Sequence, residues 1–187
     1  LFLLYSLQSL SQKPAATDVA IRVFDSRFQF VHTATGKPVD NMLWDEAEPF
    51  VNGFSRVLLD TAFSFVNMQG KLISPVVFEN ARNFSNKLAA VKKEGKWGFI
   101  NESGKTVLDF NYDVVFDFEG TVTAVYRNRK WWLVNNKGTI HQPLDITVCY
   151  GFANGIAKIA KDDREGILYP DGKIIYSATK PGSNNAV

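Results

Sequence analysis

Several residue types in this chain recur at an interval of 34 residues, and this repetition constrains the fold more than any other feature. Glycines form one such column, phenylalanines form a second, and aliphatic or aromatic residues fill three more in the same register. The columns are Gly36, Gly70, Gly104, Gly138 and Gly172; Phe50, Phe84, Phe118 and Phe152; Val23, Val57, Val91, Val125 and Ile159; Val31, Phe65, Phe99, Leu133 and Ile167; and Trp44, Phe78, Tyr112 and Ile146. The chain is therefore a tandem array in which each unit needs its neighbours to bury its apolar surface.

The content of the unit favours strands, although helical tetratricopeptide arrays have a similar period. The clearest unit, 85–118, reads SNKLAAVKKEGKWGFINESGKTVLDFNYDVVFDF. Its runs of Val, Ile and aromatic residues are interrupted by Glu94-Gly95 and Ser103-Gly104, which suit hairpin turns and would break helices. The pattern predicts three strands per unit, near 88–93, 96–101 and 106–116, with the third bent or split.

The second predicted strand has two adjacent apolar columns, as in Phe99 and Ile100. Both of its faces are therefore expected to be covered, as in a buried middle strand. Pro75 and Pro143 fall in the third strand, which is expected to lie at an edge because proline cannot donate to a strand ladder. The glycine column predicts turns with positive φ, a structural role.

These features predict an all-β array of tandem 34-residue repeats, built from short antiparallel three-stranded units. The array is either an open solenoid or a propeller-like ring. Residues 19–176 form the predicted repeat domain, residues 12–18 a linker and residues 177–187 a flexible tail. The predicted units lie near 17–50, 51–84, 85–118, 119–152 and 153–180.

The N-terminal stretch, 1–11, predicts the remnant of a signal peptide. Its first ten residues, LFLLYSLQSL, have the length of a signal-peptide apolar region and are too short for a membrane span. Ser9 and Ser11 then occupy the −3 and −1 positions of a cleavage site. A buried first strand or helix is the alternative. We expect an exported protein that is periplasmic, secreted or at the cell surface, without a membrane span in the mature chain.

The segment KEGKWGFINESGK at 93–105 resembles the WG repeat family, which is named for a Trp-Gly pair and has units of this length. Trp97 and Gly98 match the pair, and the order of conserved residue types continues into the next unit through Trp131 and Gly138. The resemblance covers about residues 44–176. It implies a β-repeat fold in a bacterial, often exported protein, and it implies little chemistry because the function of the family is mostly unassigned.

Only one unit keeps the Trp-Gly pair. Trp131 is followed by Trp132, and the other units have Phe63-Ser64 and Glu165-Gly166 at these positions. Trp97, Gly98 and Trp131 are therefore interpreted as structural repeat positions. Trp132 stands in the glycine position and is predicted to point to the face opposite Trp131, which makes it the best candidate for an exposed binding residue.

The sequence offers little catalytic or metal chemistry. The single cysteine, Cys149, shares a column with alanines, and the two histidines, His32 and His141, fall in otherwise apolar columns. This set predicts neither a nucleophile with its base nor a zinc site. Asp162-Asp163 lies where a hairpin turn is expected. We expect no metal and no cofactor.

The net charge of +2 comes from scattered basic residues, which argues against nucleic-acid binding. The sequence therefore predicts a non-catalytic binding or scaffolding module at the cell envelope, with an unidentified protein partner. The alternatives are a carbohydrate-binding module that uses exposed tryptophans on an envelope glycan, and a hydrolase with its site in a groove between repeats.

Overall fold

The computed structural model describes residues 18–177, apart from the side chain of His141, and this part of the chain contains strands and no helix. The seventeen strands are β1 (Val19–Phe24), β2 (Arg27–His32), β3 (Glu46–Ala47), β4 (Phe54–Leu59), β5 (Ala62–Asn67), β6 (Asn80–Ala81), β7 (Leu88–Lys93), β8 (Lys96–Asn101), β9 (Thr106–Tyr112), β10 (Val114–Val115), β11 (Val122–Arg127), β12 (Lys130–Asn135), β13 (Ile140–Leu144), β14 (Val148–Ala153), β15 (Ile156–Lys161), β16 (Arg164–Leu168) and β17 (Ile174–Tyr176). The all-β prediction is confirmed.

The strands form five antiparallel sheets in chain order, which we number 1 to 5. Sheet 1 is β1-β2, sheet 2 is β3-β4-β5, and sheets 3, 4 and 5 each have four strands. The predicted third strand of 106–116 is indeed split. Its first part, β9, closes sheet 3, while β10 pairs with β11 and opens sheet 4. In sheets 3, 4 and 5, three predicted strands per unit therefore give four strands per sheet.

Consecutive sheets share their apolar cores, so each interior sheet buries two faces. We call the face toward the previous sheet the preceding face and the other one the following face. In sheet 4, Val125 and Val134 pack on the preceding face with Phe99 of sheet 3. On the following face, Leu133 packs with Ile159 of sheet 5. The predicted middle strand is buried on both sides for this reason. Pro143 lies in β13, an edge strand, as predicted.

The glycine column lies in turns with positive φ, as predicted. The φ angles are +65° at Gly36, +78° at Gly70 and Gly104, +84° at Gly138 and +88° at Gly172. Some of these glycines also lie against the preceding unit. A Cβ atom on Gly104 would stand 2.0 Å from the carbonyl oxygen of Ile73, which belongs to the previous repeat. The column thus serves both the turn and the contact between units.

The first unit departs from the 34-residue register, and the predicted column positions of Val23, Val31 and His32 are wrong. His32 pairs with Val19 at the end of its strand, as Asn67 pairs with Phe54, so His32 belongs to the position of Asn67 and not to an apolar column. The turn that follows is one residue longer, because the His32 amide donates to Lys37 where the Asn67 amide donates to Lys71. The equivalent of Val57 is consequently Arg22 rather than Val23.

A second set of tight turns precedes the central hairpins of sheets 2, 3 and 5, and one of them carries a strained residue. Asn52-Gly53 and Asn154-Gly155 have glycine at the second turn position, whereas Asn86 is followed by Lys87 at φ +69°. Because a side chain in this region of φ is unfavourable, we expect Lys87→Gly to stabilise the protein by about 1 kcal/mol. Urea denaturation should show the gain, and the reverse change Gly53→Lys should lose a similar amount. A lower midpoint for Lys87→Gly would contradict this.

Between Asp18 and Ser177 there is no helix of the length and apolar character that a membrane span requires. The predicted signal peptide at 1–11, nearly all of the linker and the tail beyond residue 177 lie outside the described residues.

Candidate functional site

Five arginines, at different positions of the repeat unit, each lie with the guanidinium over an aromatic ring. The distances from the guanidinium carbon to the ring centroid are 5.5 Å for Arg22 and Phe24, 5.4 Å for Arg56 and Phe63, 5.0 Å for Arg82 and Trp97, 5.3 Å for Arg127 and Trp132, and 4.5 Å for Arg164 and Tyr176. Most of these rings are half-buried. We call this set the arginine–aromatic row.

One arginine of the row contacts two aromatic rings, and this group lies between sheets 3 and 4. The guanidinium of Arg127 stands over both the Trp132 ring and the Tyr112 ring, the latter at 5.5 Å. We call these three residues the Trp132 stack. Burial raises the pKa of the Tyr112 phenol, the nearby Arg127 opposes that rise, and Asp109 adds to it. The ring of Tyr112 is therefore a neutral partner for the arginine.

The Trp132 stack contains two hydrogen-bond donors without a protein acceptor among the described residues. They are the Nε1 of Trp132 and the Nε of Arg127, both buried. A buried donor without an acceptor loses the hydrogen bond it made to water in the unfolded chain, which is unfavourable. Among the described residues the one other buried side-chain atom of this kind is the Nε of Arg56, so all of these unsatisfied donors belong to the arginine–aromatic row.

Trp132 lies on the face opposite Trp131, as the sequence predicts, and it is half-buried rather than freely exposed. Its ring packs on the preceding face against sheet 3. Trp131 packs on the following face, and its Nε1 donates to the Thr147 carbonyl at 3.2 Å. The exposure expected for Trp132 is thus only partial, because the neighbouring sheet covers much of its ring.

The Gly98 of the Trp-Gly pair shows why the pair can vary. A Cβ atom on Gly98 would lie 2.7 Å from the Leu108 carbonyl oxygen and 3.0 Å from the Phe110 ring, which folds over this position. The register of β8 and β9 shifts at Gly98, between Trp97 and Phe99, so Gly98 has no direct partner in β9. In sheet 4 the equivalent residue, Trp132, pairs directly with Pro143. The Trp132 ring takes up space on the preceding face, as Phe110 does in sheet 3.

The other predicted structural positions are distributed between the sheets. Phe84 and Phe118 are buried, whereas Phe50 and Phe152 near the two ends of the array are half-buried. Trp97 is half-buried beneath Arg82. Hydrogen bonds between units are formed at two residues of the phenylalanine column. The side-chain amides of Asn52 and Asn86 donate to the backbone carbonyls of Phe84 and Phe118, each at 2.6 Å. These hydrogen bonds join one unit to the next.

Sheet 5 presents its following face to solvent, and we call this surface the end face. It consists of Val148, Tyr150, Lys158, Ala160, Glu165, Ile167 and Ile175, which lie on one side of the sheet according to the strand pairing. A groove of about 720 Å³ runs across it. Tyr150 is 66% exposed and Ile175 is 46% exposed. The described array is therefore open at this end.

A second cavity of about 520 Å³ lies between sheets 3 and 4, at the end opposite the hairpin tips. Its lining is mostly polar and includes Asn86, Asn101, Ser103 and Asn136. None of the described residues that line it is aromatic. Glu102 supplies its one carboxylate, and Glu165 supplies the one carboxylate of the end-face groove.

The residues considered for catalysis do not come together. Cys149 is buried in the core between sheets 4 and 5, and burial raises the pKa of its thiol. His32 is exposed at the end of β2, and the side chain of His141 lies outside what the structure describes. Within residues 18–177 no group of three or more His, Cys, Asp or Glu is placed to hold a metal ion.

The fold and these surfaces define a tandem β-repeat protein. The family described as WG containing repeat matches residues 63–97 and 97–131, two tandem repeats. The resemblance drawn from Trp97 and Gly98 is confirmed over this segment of the chain. No curated protein matches the chain.

Solved structures with a similar fold share little sequence with this chain. Hsv2p of Kluyveromyces lactis is 12% identical, with a TM-score of 0.46 over 83% of this chain and 59% of its own. The WD40 beta propeller domain of Doa1 is 14% identical, with a TM-score of 0.37 over 88% of this chain and 65% of its own. The computationally designed Ika4 protein is 10% identical, with a TM-score of 0.42 over 70% of this chain and 88% of its own. The chain spans between 46% and 59% of the length of four Hsv2 structures that it matches.

Proposed function

We propose that this chain is a non-catalytic repeat module that binds a protein partner at the cell envelope. The observation that carries the proposal is the arginine–aromatic row, above all the stack of Arg82 on Trp97 and the Trp132 stack, which both lie between sheets 3 and 4. Arginine and the large aromatic residues are the side chains most enriched where proteins bind one another with high energy. Because Trp97 pairs with Tyr112 across β8 and β9, these two stacks lie side by side and offer a partner neighbouring contacts.

The Trp132 stack is the proposed centre of this surface. Its ring already lies on a rigid strand and is held by Arg127 and by sheet 3, so little conformational entropy would be lost on binding. The exposed tip residues Asn128, Arg129 and Lys130 border it with polar groups. A rigid aromatic anchor with a polar rim is the usual arrangement of a protein-binding surface.

Two other functions are less well supported. A sugar site would be expected to combine a flat aromatic face with converging polar groups, yet the polar cavity is lined by no aromatic residue, and Arg127 covers one face of Trp132. A glycoside hydrolase needs two carboxylates at one site, whereas each groove contains one, Glu102 or Glu165. We therefore propose protein binding ahead of both.

Export to the envelope is part of the proposal and rests on the apolar run Leu1–Leu10 with the small residues that follow. A single, buried cysteine also suits an oxidising compartment, because Cys149 has no second cysteine to form a disulfide with and is shielded from solvent.

The test compares partner capture by matched variants. Purified protein is cross-linked to envelope extract, captured proteins are identified, and each is then re-measured as a purified pair by calorimetry. We expect Arg127→Ala and Trp132→Ala to weaken binding by on the order of tenfold or more, as hot-spot residues do. Lys105→Asn removes a positive charge at an exposed turn at the opposite end of sheet 3 and should leave affinity unchanged.

Thermal melting of each variant separates lost folding from lost binding. Recovery of glycans alone would overturn the proposal, as would a purified protein partner whose affinity is the same for wild type and Trp132→Ala.

A further inference from the structure

The end face is the same surface that the next unit covers everywhere else in the array. In sheet 4 the equivalent residues Ala124, Trp131 and Leu133 are buried by sheet 5. In sheet 3 the equivalents Ala90 and Phe99 are buried by sheet 4. A surface of this kind therefore has a strong tendency to pack against another β-sheet.

Two charged residues distinguish the end face from the equivalent faces of sheets 3 and 4. Lys158 stands where these sheets have Ala90 and Ala124, and Glu165 stands where they have Trp97 and Trp131. In sheet 2 the position of Lys158 holds Arg56, which donates to the Ala81 carbonyl of sheet 3 and pairs with Glu48, next to β3 of its own sheet. Ile167, Ala160, Val148, Ile175 and Tyr150 nevertheless keep the rest of the face apolar. Among the described residues neither Lys158 nor Glu165 makes an ion pair.

These two charges restrict what can cover the face. A further unit with ordinary apolar residues would bury Lys158 and Glu165 without partners, and an unpaired buried charge is strongly destabilising. An occupant that places an acid opposite Lys158 and a base opposite Glu165 avoids this cost, as Glu48 does for Arg56 in sheet 2. The two residues are offset along neighbouring strands, since Lys158 pairs with Ile167 and Glu165 pairs with Ala160.

We infer that the end face binds the end face of a second copy of this chain, in a symmetric dimer. In an isologous contact the same surface lies on both copies, so each contact between two different residues occurs twice. A twofold axis that lies between the two sheets, perpendicular to the line from Lys158 to Glu165 at its midpoint, places each lysine opposite the other copy's glutamate. Ile167 and Ala160 lie on either side of this line, along the axis, so each packs against its own counterpart and the groove of about 720 Å³ is filled.

This dimer is independent of the Trp132 stack, because the stack lies between sheets 3 and 4 and the end face lies on sheet 5. It goes beyond the proposed protein-binding role by giving the module two copies of its binding row, which would raise avidity for a partner with repeated sites.

Charge exchange tests the dimer. Sedimentation equilibrium of the wild type across a wide concentration series is expected to show a reversible dimer. Lys158→Glu and Glu165→Lys should each weaken it by on the order of a hundredfold, because two like-charged contacts replace two ion pairs. A mixture of the two single variants should form a heterodimer, since every contact is then between opposite charges, and the double exchange K158E/E165K should dimerise again.

An apolar variant and a matched control complete the experiment. Ile175→Glu should give a monomer, while Val23→Glu, a change of similar size at a 68% exposed valine of sheet 1, should leave the dimer intact. Thermal melting at low concentration checks that each variant is folded. A wild type that stays monomeric overturns the inference. So does a mass that keeps growing beyond two copies, which indicates a head-to-tail contact, or a mixture of single variants that remains monomeric.

Discussion

Replacement of Gly104 by alanine is expected to destabilise the protein by about 3 kcal/mol or more, a lowering of the melting temperature by roughly 10 °C. Two costs combine at this position. The φ of +78° is unfavourable for any residue with a side chain, by about 1–2 kcal/mol. The new Cβ atom would also stand 2.0 Å from the Ile73 carbonyl oxygen, so the turn and the preceding unit must separate. Chemical denaturation of the two proteins measures the difference.

Gly36→Ala is the matched control for this change. Gly36 belongs to the same column and has a φ of +65°, yet a Cβ atom there would meet nothing within 4 Å. We expect it to show only the backbone cost, about 1–2 kcal/mol. The excess loss at Gly104 then measures the contact between units. Equal losses at both positions would show that the column serves the turns alone.

Trp131→Ala is expected to cost roughly 3–5 kcal/mol, as the loss of a buried aromatic side chain does. The Trp131 ring lies between sheets 4 and 5, at a centroid distance of 5.8 Å from Phe116 and 5.1 Å from Tyr126. Its Nε1 also donates to Thr147, immediately before β14. Because stability in repeat arrays is the sum of units and their interfaces, the loss should fall first on sheet 5.

Hydrogen exchange measures where that loss falls. In the Trp131→Ala protein we expect amides of β15 and β16 to exchange much faster, while amides of β7 and β8 keep their protection. Trp131→Phe should retain most of the stability, since Phe63 occupies the same position in sheet 2. A uniform rise in exchange across all sheets would mean that the array unfolds as one cooperative body and would contradict a local interface.

Much of the fold could be predicted from the sequence because the repeat supplies the same evidence several times. The strands predicted at 88–93 and 96–101 match β7 and β8, and the third strand is split within the predicted range. The opposite directions of Trp131 and Trp132 follow from the alternation of side chains along a strand. Each of these depends on neighbours within a few residues.

The first unit shows how a register based on spacing can fail. One extra residue lies in the turn between His32 and Lys37, so columns counted at 34 residues shift by one through β1 and β2. The signal was present in the sequence, since FQFVH at 28–32 aligns with FSFVN at 63–67 at a spacing of 35 residues. Because side chains alternate with a period of two, a slip of one residue exchanges the two faces of a strand.

The Trp132 stack was only partly predictable. The sequence indicated an aromatic residue on the opposite face from Trp131, but Arg127 and Tyr112 come from other strands, and only their packing reveals the paired cation and the two buried donors. Arg127, beside the turn at Asn128 and Arg129, was visible in the sequence. Its partner ring depends on the path of long side chains between sheets, which no local pattern specifies.

The sequence by itself determined the strands, the turns and the alternation of faces, since these depend on backbone conformation and on residues close along the chain. The tertiary structure decided which faces are covered. It placed Trp132 half under sheet 3, and it left Lys158 and Glu165 on an open sheet while their equivalents in sheet 4, Ala124 and Trp131, are packed. Burial is a property of the neighbouring unit, and a repeated pattern gives each unit the same residues without saying which of them has a neighbour.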